Sequence, residues 1–200
     1  MGSERIDAMP MPMRWLVEPA RWRTEASTLE LAAGARTDWF VDPSGEREPT
    51  LNGAALVGDV VGDYSFSARV RVGFGATFDA GALMLYVSES IWAKLCFEFS
   101  PDAEPMIVSV VTRGGSDDAN GFVVDGDAVW LRIARLGPAF AFHASTDGRT
   151  WRLVRHFTLA DDVEPAVGFE AQSPTGEGCE VTFDDIRFAA GRLRELRDGS

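Results

Sequence analysis

Residues 64–72 read Tyr64-Ser65-Phe66-Ser67-Ala68-Arg69-Val70-Arg71-Val72, with apolar side chains at every even position and serine or arginine at every odd one. Side chains of an extended chain alternate between two faces, so this stretch packs one face on a core and turns the other to water or a second layer. It predicts a strand.

On either side of it, 20 glycines and 10 prolines separate short segments rich in Val, Ile, Phe, Trp and Thr, the rhythm of an all-β sandwich or barrel. Further strands are expected over 28–32, 55–60, 80–87, 92–99, 106–113, 121–124, 128–135, 139–145, 151–157, 165–171 and 180–188. Asp125-Gly126-Asp127, Leu136-Gly137-Pro138 and Asp147-Gly148 fall between apolar runs, where glycine admits the positive φ of tight hairpin turns. In the last segment Val181 and Phe183 share one parity and Ile186 and Phe188 the other, which predicts a bulge near Asp184-Asp185. No helical period, linker or internal repeat interrupts the series. A single domain is expected over 15–190, with an N-terminal extension over 1–14 and a polar tail over 191–200 that is either one helical turn or disordered.

Composition narrows the function. A chain of 200 residues, 46% hydrophobic and 25% charged, can fold around one core. Its 31 acidic residues against 19 basic ones give a net charge of −12, which repels phosphate backbones and anionic lipids, so neither nucleic acid nor membrane is an expected partner. No uncharged stretch approaches the roughly 18 apolar residues of a membrane span, and residues 1–13 hold no apolar core of a secretory signal. A soluble, cytoplasmic protein is expected, with Cys96 and Cys179 as free thiols. Lys94 is the single lysine among the basic residues; the preference for arginine reads as a GC-rich, bacterial genome.

Several pieces then come in a fixed order: Trp15, Pro19 and Trp22; Thr37-Asp38-Trp39; Asp63-Tyr64-Ser65-Phe66; Asp79-Ala80-Gly81-Ala82-Leu83-Met84; Trp92-Ala93-Lys94-Leu95-Cys96-Phe97-Glu98; Ser109-Val110-Val111-Thr112-Arg113; Ser116-Asp117-Asp118; Ser145-Thr146-Asp147-Gly148; and Val167-Gly168-Phe169-Glu170-Ala171-Gln172-Ser173-Pro174. Across residues 15–190 this set resembles an uncharacterised, regulator-of-enolase-like family of the concanavalin A-like lectin/glucanase superfamily. It is also similar to the C-terminal β-sandwich of some family 43 xylosidases. The resemblance implies a jelly-roll sandwich of two curved antiparallel sheets with a concave face that binds sugars in many relatives. It implies no reaction.

Strand parity suggests what that face would hold. Lys94, Cys96 and Glu98 point one way while Leu95, Phe97 and Phe99 point the other. Arg113, on the next strand, is expected near Lys94 or Glu98; His143 pairs in parity with Ser145, and Glu170 with Gln172. Together these groups would form a polar floor of donors and acceptors suited to sugar hydroxyls, with Trp39 and Trp92 as stacking surfaces. The run Ser116-Asp117-Asp118-Ala119-Asn120 reads as a solvated turn, or as a loop overhanging the ligand. The plainer alternative is that Lys94, Glu98 and Arg113 are cross-strand ion pairs and that Trp15, Trp22, Trp130 and Trp151 are packing.

Three functions are compatible with these residues. The first is a non-catalytic binding module for a carbohydrate or sugar-like metabolite. The second is a regulatory interaction partner of a metabolic enzyme, as the enolase name implies. The third is a glycoside hydrolase acting through Glu98 and Glu170, weakened because the run Cys96-Phe97-Glu98-Phe99-Ser100 lacks the second, alternate acid of the superfamily's glucanases. No cofactor is expected; a structural calcium ion on Asp38, Asp184 and Asp185 is the one metal option. Gly73-Phe74-Gly75 has no following helix and is not a dinucleotide loop.

Overall fold

In the computed structural model, Tyr64–Val72 is a central strand, and Tyr64, Phe66, Ala68 and Val70 along it are buried. The structure describes residues 3–160 and 163–200, so residues 1–2 of the expected extension lie outside the described residues. In chain order the strands are β1 (Arg14–Val17), β2 (Trp22–Glu25), β3 (Thr28–Ala33), β4 (Trp39–Phe40), β5 (Thr50–Leu51), β6 (Ala54–Gly58), β7 (Tyr64–Val72), β8 (Ala80–Ser88), β9 (Ile91–Phe99), β10 (Pro105–Arg113), β11 (Gly115–Val123), β12 (Ala128–Leu136), β13 (Ala139–Ser145), β14 (Arg152–Thr158), β15 (Ala166–Gln172) and β16 (Cys179–Ala190). No helix occurs among the described residues.

Two antiparallel sheets of seven strands face each other. The first runs β1-β6-β15-β8-β9-β10-β11 and the second β14-β13-β12-β7-β16-β3-β2, with β4 and β5 forming a separate two-stranded hairpin. This is the expected all-β, concanavalin A-like sandwich. The alternation that defines the strands also builds the core: Leu83, Leu95, Phe97 and Phe169 of the first sheet meet Phe66, Leu131, Phe142 and Phe183 of the second, all fully buried. Phe169 stands edge-on to both Phe66 and Phe183, at 5.2 and 5.0 Å between ring centres. Ile6, Met9 and Met13 join that core, so the stretch before Trp15 is packed into the body.

A bulge and a folded tail shape the second sheet. β16 shifts register between Asp184 and Arg187, with Asp185 at a φ of 47°, which is the expected bulge and keeps Ile186 buried after the parity change. The tail over 191–200 is folded back on the body: Gly191 N–H donates to the Asp63 carbonyl and Arg192 pairs with Asp63. On the first sheet, residues 116–120 are not a turn. They belong to β11, in register with β10 from Ser116 opposite Thr112 to Asn120 opposite Val108. As an edge strand β11 has one neighbour to satisfy, and aspartates along an edge discourage further pairing.

Candidate functional site

The outer face of the first sheet carries the expected floor. Its register aligns side chains in rows across the strands: Ser116, Thr112, Trp92 and Tyr86 in one, then Asp118, Val110, Lys94 and Met84, then Asn120, Val108, Cys96, Ala82, Glu170 and Ala55, and finally Met106, Glu98, Ala80 and Gln172. Small residues at Ala55, Ala80 and Ala82 leave room above β6 and β8 for longer side chains from β9 and β15. Lys94 is the one basic side chain on this face of β15, β8, β9, β10 and β11, among four carboxyl groups once Asp38 is counted.

A strap formed by residues 37–53 lies across this face. At one end Thr37 N–H donates to the Ser173 carbonyl just past β15, and Ser173 N–H donates to Thr37 Oγ1. At the other, Ser116 N–H donates to the Val41 carbonyl and Val41 N–H to Ser116 Oγ, on β11. Between these anchors Trp39 is driven into the face, edge-on to Tyr86 and to Trp92 at 5.8 Å each, with its indole N–H on the Gly53 carbonyl at 2.8 Å. The return limb passes so close that a Cβ on Gly53 would fall 2.5 Å from Glu170 Oε1 and 2.8 Å from the Trp39 ring. Only glycine fits there.

Beneath the strap, Lys94 Nζ donates to Asp38 Oδ1 at 3.1 Å and to Gln172 Oε1 at 2.5 Å. Gln172 Nε2 in turn donates to the Phe78 carbonyl at 3.2 Å. Burial works against the Lys94 charge, but the Asp38 and Glu170 carboxyl groups outweigh it and hold the ammonium above the usual lysine range. Glu170 has 0% exposure, and neither carboxyl oxygen has a hydrogen-bond partner. Burial pushes its pKa up to about 8 against the pull of Lys94, and burial does the same to Glu98, also to about 8. The cluster is therefore one ion pair, Lys94 with Asp38, flanked by two carboxyl groups whose raised pKa favours the protonated form, which can donate as well as accept. Glu98, 9% exposed and without a hydrogen-bond partner among the described residues, is where the cluster meets solvent; Lys94 and Gln172 are each 2% exposed.

Lys94, Glu98, Glu170 and Gln172 come together here as expected, Asp118 joins them from strand β11 rather than from a turn or loop, and five other residues need correcting. Arg113 has the wrong parity: Thr112 takes the outer position, and Arg113 reaches the Thr158 carbonyl instead. His143 lies on β13 in the second sheet, beside Arg132. Trp39 and Trp92, 2% and 0% exposed, pack against one another and offer no open stacking surface. Asp117 alternates away from Asp118 and pairs with Arg155 at 2.8 Å.

The calcium set is not assembled either. Asp38 pairs with Lys94, while Asp184 pairs with Arg69 and Asp185 accepts from Trp130, both on the second sheet. No group of three or more metal-ligating side chains occurs among the described residues. Both cysteines are buried and free.

The sequence pointed to Asp38 only as a calcium ligand and gave Phe78 no role. Asp38 is on the strap, and nothing local announces that a loop residue will meet a strand lysine 56 positions away. Phe78 sits at the end of the Glu98 row with a φ of 70°, strained for a bulky residue, and is 38% exposed. A signal was present: Asp79 caps the turn before it, accepting from Gly75 and Ala76 N–H, a local pattern that Asp favours.

The profile of the family described as Protein of unknown function (DUF1349) matches residues 15–190. The chain belongs to that family. One relative is Regulation of enolase protein 1 of Saccharomyces cerevisiae, 29% identical over 192 residues, covering 92% of this chain and 92% of the relative. A crystal structure of a functionally unknown protein from Saccharomyces cerevisiae superposes with a TM-score of 0.82 at 25% identity, over 90% of this chain and 96% of that one. The GH43 protein BlXynB of Bacillus licheniformis gives a TM-score of 0.71 at 17% identity, over 90% of this DUF1349 chain but 37% of its own length, a likeness of fold alone.

Proposed function

We propose that this protein is a non-catalytic binding module that takes a neutral polyhydroxylated molecule, a carbohydrate or sugar-like metabolite, on the outer face of the first sheet. The observation that carries the reading is Glu98, a nearly buried carboxyl group without a hydrogen-bond partner among the described residues at the one edge where the sealed Lys94–Asp38–Gln172 network, with the unpartnered Glu170 beneath it, meets solvent. A buried polar group without a partner costs about 1–3 kcal/mol, so a fold that keeps one has a use for it. The ligand enters over Glu98, where Asp118, Asn120 and Met106 are adjacent and Phe78 supplies exposed aromatic surface. One basic group already paired, among four carboxyl groups, disfavours sugar acids and sugar phosphates and suits hydroxyls that both donate and accept.

The hydrolase reading has less support. Glu98 and Glu170 share the face but are separated by β8, with Cα atoms about 12 Å apart from strand spacing and rise. Such a mechanism needs one of them ionised, whereas burial holds both near 8.

The test is an NMR titration of the labelled protein with neutral sugars, sugar acids and sugar phosphates. Saturable shifts on β9 and β15 are expected with neutral sugars only, and Glu98→Gln should weaken them about 3- to 10-fold. Silence across the panel, or an unchanged affinity in Glu98→Gln, overturns the reading.

A second reading rests on the name of the yeast relative, which links it to enolase, a metabolic enzyme. Beside the strap an open groove of about 650 Å³, lined by Val41, Pro49, Leu51, Tyr86 and Val87, offers a surface for a protein. Calorimetric titration against purified enolase separates the two readings, because the sugar site predicts no heat there. In either case we place the protein in the cytoplasm, where its two unpaired thiols stay reduced.

A further inference from the structure

The outer face of the second sheet holds a second unexplained polar site, independent of the first. Arg132 on β12 is 7% exposed, and its Nε and Nη2 are enclosed without a hydrogen-bond partner. These two atoms form the side-on fork with which an arginine grips a carboxylate or phosphoryl group through two parallel N–H···O bonds. Arg69 on the same face shows the fork in use: its Nε and Nη2 donate to Asp184 at 2.5 and 2.9 Å. Arg132 takes part in none of the ion pairs found among the described residues. The guanidinium stacks on Trp151, 4.1 Å from the ring centre.

His143 is the cross-strand neighbour of Arg132 and is fully buried. Its Nε2 meets the Leu196 carbonyl at 2.7 Å, and its Nδ1 has no partner. The roof over both is the C-terminal tail. Gly199 lies so near that a Cβ there would fall 1.8 Å from Arg132 Nη2. Within the tail, Arg194 and Glu195 N–H both donate to the main-chain oxygen of Ser200, so the turn closes on itself.

We infer that Arg132, positioned by Trp151 with His143 alongside, is a binding site for a small oxyanion, a carboxylate or phosphoryl group, covered by the tail over 191–200. An enclosed cationic fork with no counter-charge is costly, and an oxyanion is the ligand that satisfies both donors at once.

The test uses the full chain at ionic strength matched with sodium chloride, with inorganic phosphate and acetate as separate probes. Saturable shifts of the Arg132 Nε–H and Trp151 indole N–H signals are expected, and whichever probe gives them assigns the group as phosphoryl or carboxylate. At about ten times its dissociation constant that probe should raise the melting temperature by about 3–6 °C. Arg132→Met should abolish both effects. Arg132→Lys keeps the charge but not the fork and should weaken binding at least tenfold, and it serves if the methionine variant does not fold. No saturable shift with either probe, or the same shift in Arg132→Met or Arg132→Lys, overturns the inference.

Discussion

The outer faces of the two sheets are built by the same alternation and end up as opposite environments. On the second sheet Arg69, Arg71, Asp184, Asp185 and Arg187 form ion pairs that are half-buried or exposed at the surface. On the first, Lys94, Glu170 and Gln172 occupy equivalent outward positions and are sealed. What differs is the covering. The strap over 37–53 lays Trp39 across the first face and creates a second apolar cluster with Trp92, Met84, Val108 and Val110, while the second face has only the short tail near Arg132 and His143. A strand pattern decides which side chains face outward; a loop distant in sequence decides whether outward means wet.

The sharpest way to break this contrast is to remove the cover. Trp39→Ala deletes a buried indole and its bond to Gly53, and should cost about 3–5 kcal/mol, or a melting temperature about 10 °C lower by calorimetry. Trp130→Ala on the second face removes a half-buried indole and one bond to Asp185, and about 1 kcal/mol is expected. Equal losses would mean that the strap is no more structural than the open face. Next in size is Glu170→Gln. The Glu170 pKa is raised in the folded protein, so its stabilising proton is fully present below the unfolded value near 4.5 and is lost as pH rises toward 8. Stability should therefore decline by about 2–4 kcal/mol across that window. Denaturant unfolding at several pH values should show the decline in the wild type and a flatter line in Glu170→Gln; parallel curves would remove Glu170 as its source.

The same contrast explains what was legible in the sequence. Strands β7 and β13 coincide with the expected ranges because their own alternation or apolar run marks them without reference to a partner: β13 joins β12 and β14 in sequential hairpins, while β7 lies between the distant β12 and β16. The bulge in β16 was readable for the same reason. Only the end of β11 was expected, as the strand over 121–124; its first half was missed because Ser116-Asp117-Asp118-Ala119-Asn120 has the composition of a turn, and only the partner β10 makes it extended. Lys94, Glu98, Glu170 and Gln172 followed from parity, since all lie on two strands of one sheet. Placing His143 required knowing which sheet β13 joins, and placing Arg113 required the correct parity of β10 relative to β9. The burial of Trp39 required knowing where a loop would land. Periodicity carries none of these.

The smallest effect tests the second face through His143. Burial, chiefly, lowers its pKa to about 4, with Arg132 and His156 adding repulsion, while the Leu196 carbonyl opposes the shift. A histidine held neutral in the fold contributes stability that is present above its unfolded pKa near 6.5 and is lost as pH falls toward 4, opposite in sign to the Glu170 contribution over the range the two share. About 1–2 kcal/mol should disappear over that range. His143→Gln retains an N–H for the Leu196 carbonyl, so the tail stays in place while the titration is removed. As pH falls from 6.5 to 4.5 its stability should rise more steeply than that of the wild type, in which the His143 loss offsets the gain from the covered carboxyl groups of the first sheet, and above pH 6.5 the two alkaline limbs should run parallel. If His143→Gln altered the alkaline limb as well, the two faces would be coupled through the sandwich, and the independence of the two proposed sites would fail with it.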